Sequence, residues 1–147
     1  MWWLIGAVVL VGAVVSVLLF RRSSRKREWA DSLSSAQADV LWLAREVIPQ
    51  LSHGGSVQEI AGGWRVSADR AVTAEDRLTS LEAAAPDDVG RGQARTLRDA
   101  VRGARARLDA LARVGDLATA YSQLHAAAAE LEAAVASVNP TAPSSGS

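Results

Sequence analysis

Apolar residues along the chain follow two patterns, one continuous and one periodic. The continuous pattern covers residues 2–20 (WWLIGAVVLVGAVVSVLLF), which contain no charged side chain. A helix of this length extends roughly 28 Å, close to the thickness of a bilayer core. We therefore expect residues 1–20 to form a single N-terminal transmembrane helix, with Trp2 and Trp3 at one membrane interface.

From residue 29 onward, apolar residues recur three and four positions apart, which places them on one face of a helix. No segment shows the alternation of period two that is typical of a strand. The pattern predicts an all-α protein in which residues 29–139 form an antiparallel, coiled-coil-like four-helix bundle. The four apolar stripes are Trp29, Leu33, Ala36, Val40, Leu43, Val47 and Leu51; Ala71, Ala74, Leu78, Leu81 and Ala85; Ala94, Leu97, Val101, Ala104, Leu108 and Leu111; and Leu117, Tyr121, Leu124, Ala128, Leu131, Val135 and Val138.

Residues between the stripes have the chemistry of helix ends. Ser56-Val57-Gln58-Glu59 predicts a capping box for a short helical turn, which we expect Gly62-Gly63 to end. The second helix would then begin between Trp64 and Ser67. Aspartate side chains accept hydrogen bonds from free backbone N–H groups. The expected N-caps of the third and fourth helices are Asp87 and Asp116.

The first bundle helix raises two further expectations. Nothing between Phe20 and Trp29 interrupts a helix, which allows the membrane helix to continue into the bundle. Pro49 lacks a backbone N–H and is expected to bend this helix near its end. The tail, residues 140–147, is polar and rich in proline and serine, and it is predicted to be disordered.

Charge is distributed unevenly, although the totals are 16 basic and 16 acidic residues. Residues 21–28 form a basic juxtamembrane linker that begins with RRSSRKR. The positive-inside rule then places the N-terminus outside the plasma (inner) membrane and the bundle in the cytoplasm. A cleaved signal peptide is disfavoured, because basic residues follow the apolar segment instead of preceding it.

The basic linker has two interpretations. Its cations can attract anionic lipid headgroups, and phosphorylation of Ser23 or Ser24 would weaken that attraction. In the simpler interpretation, the charges only fix the topology. The candidate headgroup contacts are Arg21, Arg22, Arg25, Lys26 and Arg27.

The residues that catalysis would need are scarce. The chain has no cysteine, which excludes disulfide scaffolds, thiol catalysis and cysteine zinc sites. His53 and His125 are the only histidines, and the sequence does not bring them together. We expect no enzymatic activity, cofactor, metal or small-molecule substrate. The third helix is rich in arginine, and a solvated face, or one paired with acidic neighbouring helices, is favoured over nucleic-acid binding.

Two surfaces are candidates for protein contacts. Trp42 lies on the polar side of the first bundle helix, with Asp39 and Glu46 beside it. A partner can cover this tryptophan, or another helix or the 54–66 connection can cover it. Within the membrane helix, Gly12 and Ser16 form a pair of small residues that would let two helices approach closely.

The order of these segments resembles that of bacterial septation-ring regulators, which have one membrane span and helical cytoplasmic arms. The resemblance is one of layout and implies no role for any residue. Fifteen arginines against one lysine favour a bacterial origin with a GC-rich genome. The leading hypothesis is a membrane-anchored protein-interaction or scaffold module. The alternative is an accessory or regulatory subunit that contacts a larger membrane complex through its span.

Overall fold

The computed structural model describes residues 2–139, and these residues form a bundle of four helices without a strand. The predicted disordered tail lies outside the described residues. A short 3₁₀ segment, Ala110–Arg113, extends the third helix. The helices are α1 (Trp2–Leu51), α2 (Val57–Ala83), α3 (Asp88–Asp109) and α4 (Leu117–Val138).

Helix α1 is continuous over 50 residues. Its N-terminal part, residues 2–20, is exposed throughout, whereas Leu33, Ala36 and Val40 are buried in the bundle. The basic linker is helical as well, because no residue within it disrupts the backbone hydrogen bonds. The apolar segment and the first bundle helix are therefore one continuous helix. The direction in which each side chain of the apolar segment points is fixed relative to the bundle.

The distortion predicted at Pro49 takes the form of a π-helical segment, Leu43–Val47. Without an N–H, Pro49 cannot donate to the carbonyl of Arg45, so the ordinary ladder is interrupted at this turn. The N–H of Ile48 donates to the carbonyl of Leu43 instead, five residues earlier. The wider turn keeps both Val47 and Ile48 buried.

Helix α2 runs through the two glycines that were expected to end a short turn. It begins at Val57 and continues unbroken past Gly62 and Gly63. Each glycine costs a helix about 1 kcal/mol relative to alanine. Burial of the flanking Ile60 and Trp64, at about 1.5–3 kcal/mol for a large apolar side chain, outweighs that cost.

The predicted N-caps are present. The Ser56 hydroxyl accepts a hydrogen bond from the N–H of Glu59 at 3.2 Å, and the Glu59 carboxylate accepts one from the N–H of Gly55 at 2.7 Å. Asp87 accepts from the N–H of Gly90 at 2.8 Å. Asp116 accepts from the N–H of Thr119 at 2.9 Å. These bonds satisfy backbone donors that have no partner inside the helices.

The predicted stripes supply most of the core. Most of their members are buried, whereas Trp29, Leu117, Tyr121 and Ala128 pack against the core while partly exposed and Ala85 is half-buried. The buried apolar residues outside the predicted stripes are Ala44, Ile48, Ile60, Ala61, Trp64, Ala100, Ala120, Ala127 and Ala134. Alanines occupy many of the buried positions, which lets the helix backbones approach closely. The largest fully buried side chains are Ile60, Leu78, Leu97, Leu108, Leu111, Leu124, Leu131, Val40 and Val101.

Contacts of Trp29 identify the end of the bundle that adjoins the apolar segment. The indole Nε1–H donates to the carbonyl of Leu81 at 2.9 Å. A Cβ added at Gly90 would lie 2.8 Å from the same indole, so this glycine makes room for the ring. Trp29 thus holds α1 against the end of α2 and the start of α3, on either side of the α2–α3 connection.

Candidate membrane-proximal and partner surfaces

The apolar segment lies outside the bundle core. Its 18 most apolar consecutive residues are all outside the core, and the segment is long and apolar enough to cross a bilayer. Gly12 and Ser16 are both exposed, and a Cβ added at Gly12 would meet nothing within 4 Å. Both small residues are therefore accessible to another helix.

The five cations of the basic linker are exposed on α1, between the apolar segment and Trp29. Within residues 2–139, none of these five cations takes part in an ion pair. Most arginines of the bundle do, so the linker differs from the rest of the surface. The arginines that form ion pairs are Arg45, Arg70, Arg77, Arg91, Arg95, Arg98, Arg102, Arg105 and Arg107.

Arginines of α2 contact both Trp42 and Asp39. The guanidinium of Arg70 lies 3.7 Å from the centroid of the Trp42 ring, a cation–π arrangement. Arg70 is also within 3.8 Å of the Asp39 carboxylate, and Arg77 lies 2.8 Å from it. Trp42 is partly buried, with one face covered by Arg70 of another helix. Glu46 is exposed one turn further along, on the π-helical segment.

Acidic residues of α2 form ion pairs with the arginine-rich face of α3. Glu75 accepts hydrogen bonds from Arg102 at 2.9 Å and from Arg105 at 2.5 Å, and it is the one buried charged residue of the described chain. Glu82 pairs with Arg95 at 2.9 Å and with Arg98. The expectation of pairing with acidic neighbours is confirmed for these four arginines.

Two titrating groups have pKa values displaced by their hydrogen bonds. The bond to Glu75, together with the charge of that carboxylate, raises the pKa of Arg102 above its ordinary value. The hydroxyl and backbone N–H of Thr119 lower the pKa of Asp116. Both shifts stabilise the charged forms, so both groups stay ionised near neutral pH.

Both histidines are exposed and occupy different helix regions. His53 follows the C-terminus of α1, and His125 lies within α4. In the part of the chain that the structure describes, no three histidine, aspartate or glutamate side chains converge as metal ligands would.

Two tryptophans form hydrogen bonds that the spacing of apolar residues does not predict. Trp29, a member of the first predicted stripe, is partly buried, and Trp64, expected near the start of the second helix, is buried. Their polar bonds were not predicted: Trp29 donates to the carbonyl of Leu81, and Trp64 donates to Asp109 at 2.7 Å. A buried indole N–H needs an acceptor, and that requirement is the signal that points to such bonds.

Comparison with known proteins identifies no relative. No family model matches the chain, and neither a curated protein nor a solved structure matches it.

Proposed function

We propose that this chain is a single-pass membrane protein that holds an antiparallel four-helix bundle at the cytoplasmic face of the plasma membrane. There the bundle binds a protein partner or a second copy of itself. The observation that supports this proposal is the continuity of α1, which connects an exposed apolar segment directly to a buried core.

Exposure of the apolar segment favours insertion into a bilayer. The large apolar side chains of residues 2–20 are 47–93% exposed, although the bundle core is complete without them. Contiguous apolar patches on soluble monomers rarely exceed a few hundred Å². A bilayer removes this surface from water, and the basic linker then lies at the cytoplasmic headgroups.

Tethering supports a role in binding. A bundle held at the membrane surface meets other tethered proteins at a high local concentration, so a small contact surface suffices. The candidate surface is Glu46 with the neighbouring Trp42 and Asp39. Glu46 lies on the π-helical segment, and π segments occur frequently at functional sites.

Fusion reporters test the topology. A fluorescent protein fused after residue 147 and expressed in bacteria should fluoresce, whereas alkaline phosphatase at the same position should be inactive. The opposite pair of results would place the bundle outside and contradict the proposal.

Photo-crosslinking tests the partner surface. A photoreactive residue replaces Glu46 in the full-length chain, and another replaces the exposed Ser34 of the same helix as a control. A discrete adduct at position 46 that is absent at position 34 is the expected result. A self-adduct indicates a second copy. If neither appears at normal protein levels, Glu46 is not a partner surface.

Replacing residues 2–20 with an unrelated membrane span distinguishes an interaction module from the alternative, an accessory subunit that contacts a larger membrane complex through its span. An interaction module keeps its Glu46 adduct, because its contacts lie in the bundle. An accessory subunit that binds through Gly12 and Ser16 loses its association.

A further inference from the structure

A cleft of about 390 Å³ lies between α1 and the α2–α3 connection, at the end of the bundle nearest the apolar segment. One wall is formed by Ala84 and Pro86 of the connection. The other wall belongs to α1 and is formed by Leu18, Arg21, Arg22, Arg25, Lys26 and Trp29.

Helix geometry explains the wall on α1. Leu18, Arg22, Arg25 and Trp29 are spaced four, three and four residues apart, and Lys26 follows Arg22 by four. These intervals place them along one helix face. Trp29 turns that face toward the connection, through its hydrogen bond to Leu81. The cations therefore line a cleft instead of being scattered around the helix.

Along the α1 wall, the residues change from apolar to cationic with distance from the apolar segment, which is the order found along a phospholipid from its acyl chains to its headgroup. Leu18, at the membrane end, belongs to the apolar segment, and the cations follow it. From Leu18 to Trp29 the helix rises about 16 Å. A phospholipid would fit this order, with its acyl chains near Leu18 and its phosphate beside Arg22 and Lys26. A soluble phosphate compound would make no use of the apolar end.

The charge of the cleft is not neutralised within the protein. No carboxylate among residues 2–139 forms an ion pair with its four cations. The nearby acidic residues are engaged elsewhere: Asp87 of the connection accepts from the N–H of Gly90, and Asp88, the first residue of α3, pairs with Arg91. Arginine binds phosphate through two parallel N–H groups, so the cleft carries strong phosphate donors.

We infer that this cleft binds the phosphate headgroup of an anionic phospholipid from the cytoplasmic leaflet, an inference that depends on the proposed membrane insertion. The bound headgroup bridges the basic linker and the α2–α3 connection. It fixes the bundle against the membrane at a defined angle, beyond what diffuse attraction to anionic lipid provides.

The test compares two adjacent cations that differ in position. Lys26 lines the cleft, whereas Arg27 does not, so Lys26→Gln and Arg27→Gln remove the same charge from different faces. The full-length protein, purified in a neutral detergent, is titrated with phosphatidylglycerol, and bound lipid is counted by native mass spectrometry. Phosphatidylcholine with the same acyl chains and glycerol 1-phosphate are titrated separately.

The expected result is that phosphatidylglycerol binds and phosphatidylcholine does not, with Lys26→Gln weakening binding at least fivefold more than Arg27→Gln. Ala84→Phe, which fills the cleft without a change of charge, should also weaken binding. Equal losses for the two glutamine variants would indicate diffuse attraction, of about fivefold per charge, and would overturn the cleft site. If glycerol 1-phosphate bound as tightly as phosphatidylglycerol, the cleft would be a site for soluble phosphate compounds, and the lipid proposal would be overturned.

These outcomes are separate from the proposed function. Equal losses leave the membrane span and the bundle unaffected. Failure of the wild-type protein to remain with membranes after extraction with alkaline carbonate would instead contradict the proposed function itself.

Discussion

At the scale of single residues, Glu75 is the charged side chain on which the contact between α2 and α3 most depends. It is 8% exposed and accepts hydrogen bonds from both Arg102 and Arg105. A buried acceptor that loses its charge cannot satisfy two guanidinium groups equally well.

We expect Glu75→Gln to lower the free energy of unfolding by about 1.5–3 kcal/mol, the range for hydrogen bonds to charged groups. Urea denaturation of the full-length protein in detergent, followed by tryptophan fluorescence, measures this change. Asp76→Asn is the control, since Asp76 is adjacent and exposed. Equal effects of the two substitutions would show that net charge matters and the buried contact does not.

Asp116 gives a pH dependence whose sign is fixed. Its hydrogen bonds with Thr119 lower its pKa in the folded state, so its ionised form stabilises the fold at pH values above about 4. That stabilisation is lost as the pH falls through the lowered pKa. Asp116→Asn keeps a capping acceptor but cannot titrate.

We therefore expect wild type to melt at a higher temperature than Asp116→Asn at pH 6, and the difference to shrink as the pH falls from about 5 to 2. Circular dichroism at 222 nm, recorded for both proteins in one series of buffers, measures the difference. A gap that stays constant or widens on acidification would contradict this assignment.

At the scale of elements, Gly62 and Gly63 test whether α2 is continuous. A Cβ added at Gly62 meets nothing within 4 Å, whereas one added at Gly63 lies 2.7 Å from a Leu51 methyl group. Both positions are helical and exposed. Gly62 therefore has room for an alanine side chain, whereas α1 and α2 approach each other closely at Gly63.

We expect Gly62→Ala to raise the free energy of unfolding by about 0.5–1 kcal/mol, the difference in helix propensity. Gly63→Ala should gain less, because Leu51 must move. Chemical denaturation of the two variants side by side measures the difference. If Gly62→Ala is destabilising, these glycines end a helix after all.

The elements differ in how far the sequence predicts them. The buried stripes and the capping residues are confirmed, because helical spacing and cap chemistry are local properties. The expected break at Gly62-Gly63 was wrong, since burial of Ile60 and Trp64 decides the conformation there. Local pattern carries no information about packing between distant segments.

The candidate surfaces depend on that distant packing. The sequence allows either a partner or another part of the chain to cover Trp42, and Arg70 of α2, 28 positions further along, covers one of its faces. The cleft needs Ala84 and Pro86 beside the basic linker, a proximity that the hydrogen bond from Trp29 to Leu81 creates. Sequence spacing identified the cations but not the wall opposite them.

At the scale of the whole molecule, the continuity of α1 couples the orientation of the bundle to that of the apolar segment. Backbone hydrogen bonds make a helix stiff, and α1 is helical from Trp2 through the basic linker. We therefore expect rotation of the apolar segment to turn the bundle with it.

Spin labels at Ser16 and Ser34 measure this continuity. Both serines are exposed, and 18 residues make five full helical turns, so the labels lie on the same face. The absence of cysteine lets Ser16→Cys and Ser34→Cys be labelled selectively. We expect a narrow distance distribution centred at about 27 Å between the backbone positions.

Two controls decide what the distribution means. Substitution of Ser23 and Ser24 by Gly and Pro should broaden it, because proline removes a helical hydrogen bond and glycine relaxes the backbone. A broad distribution in the unsubstituted protein would show that the linker bends freely, and rotation of the apolar segment would then not reach the bundle. Protein labelled only at Ser16 reports distances between copies, so a dipolar signal there would identify self-association.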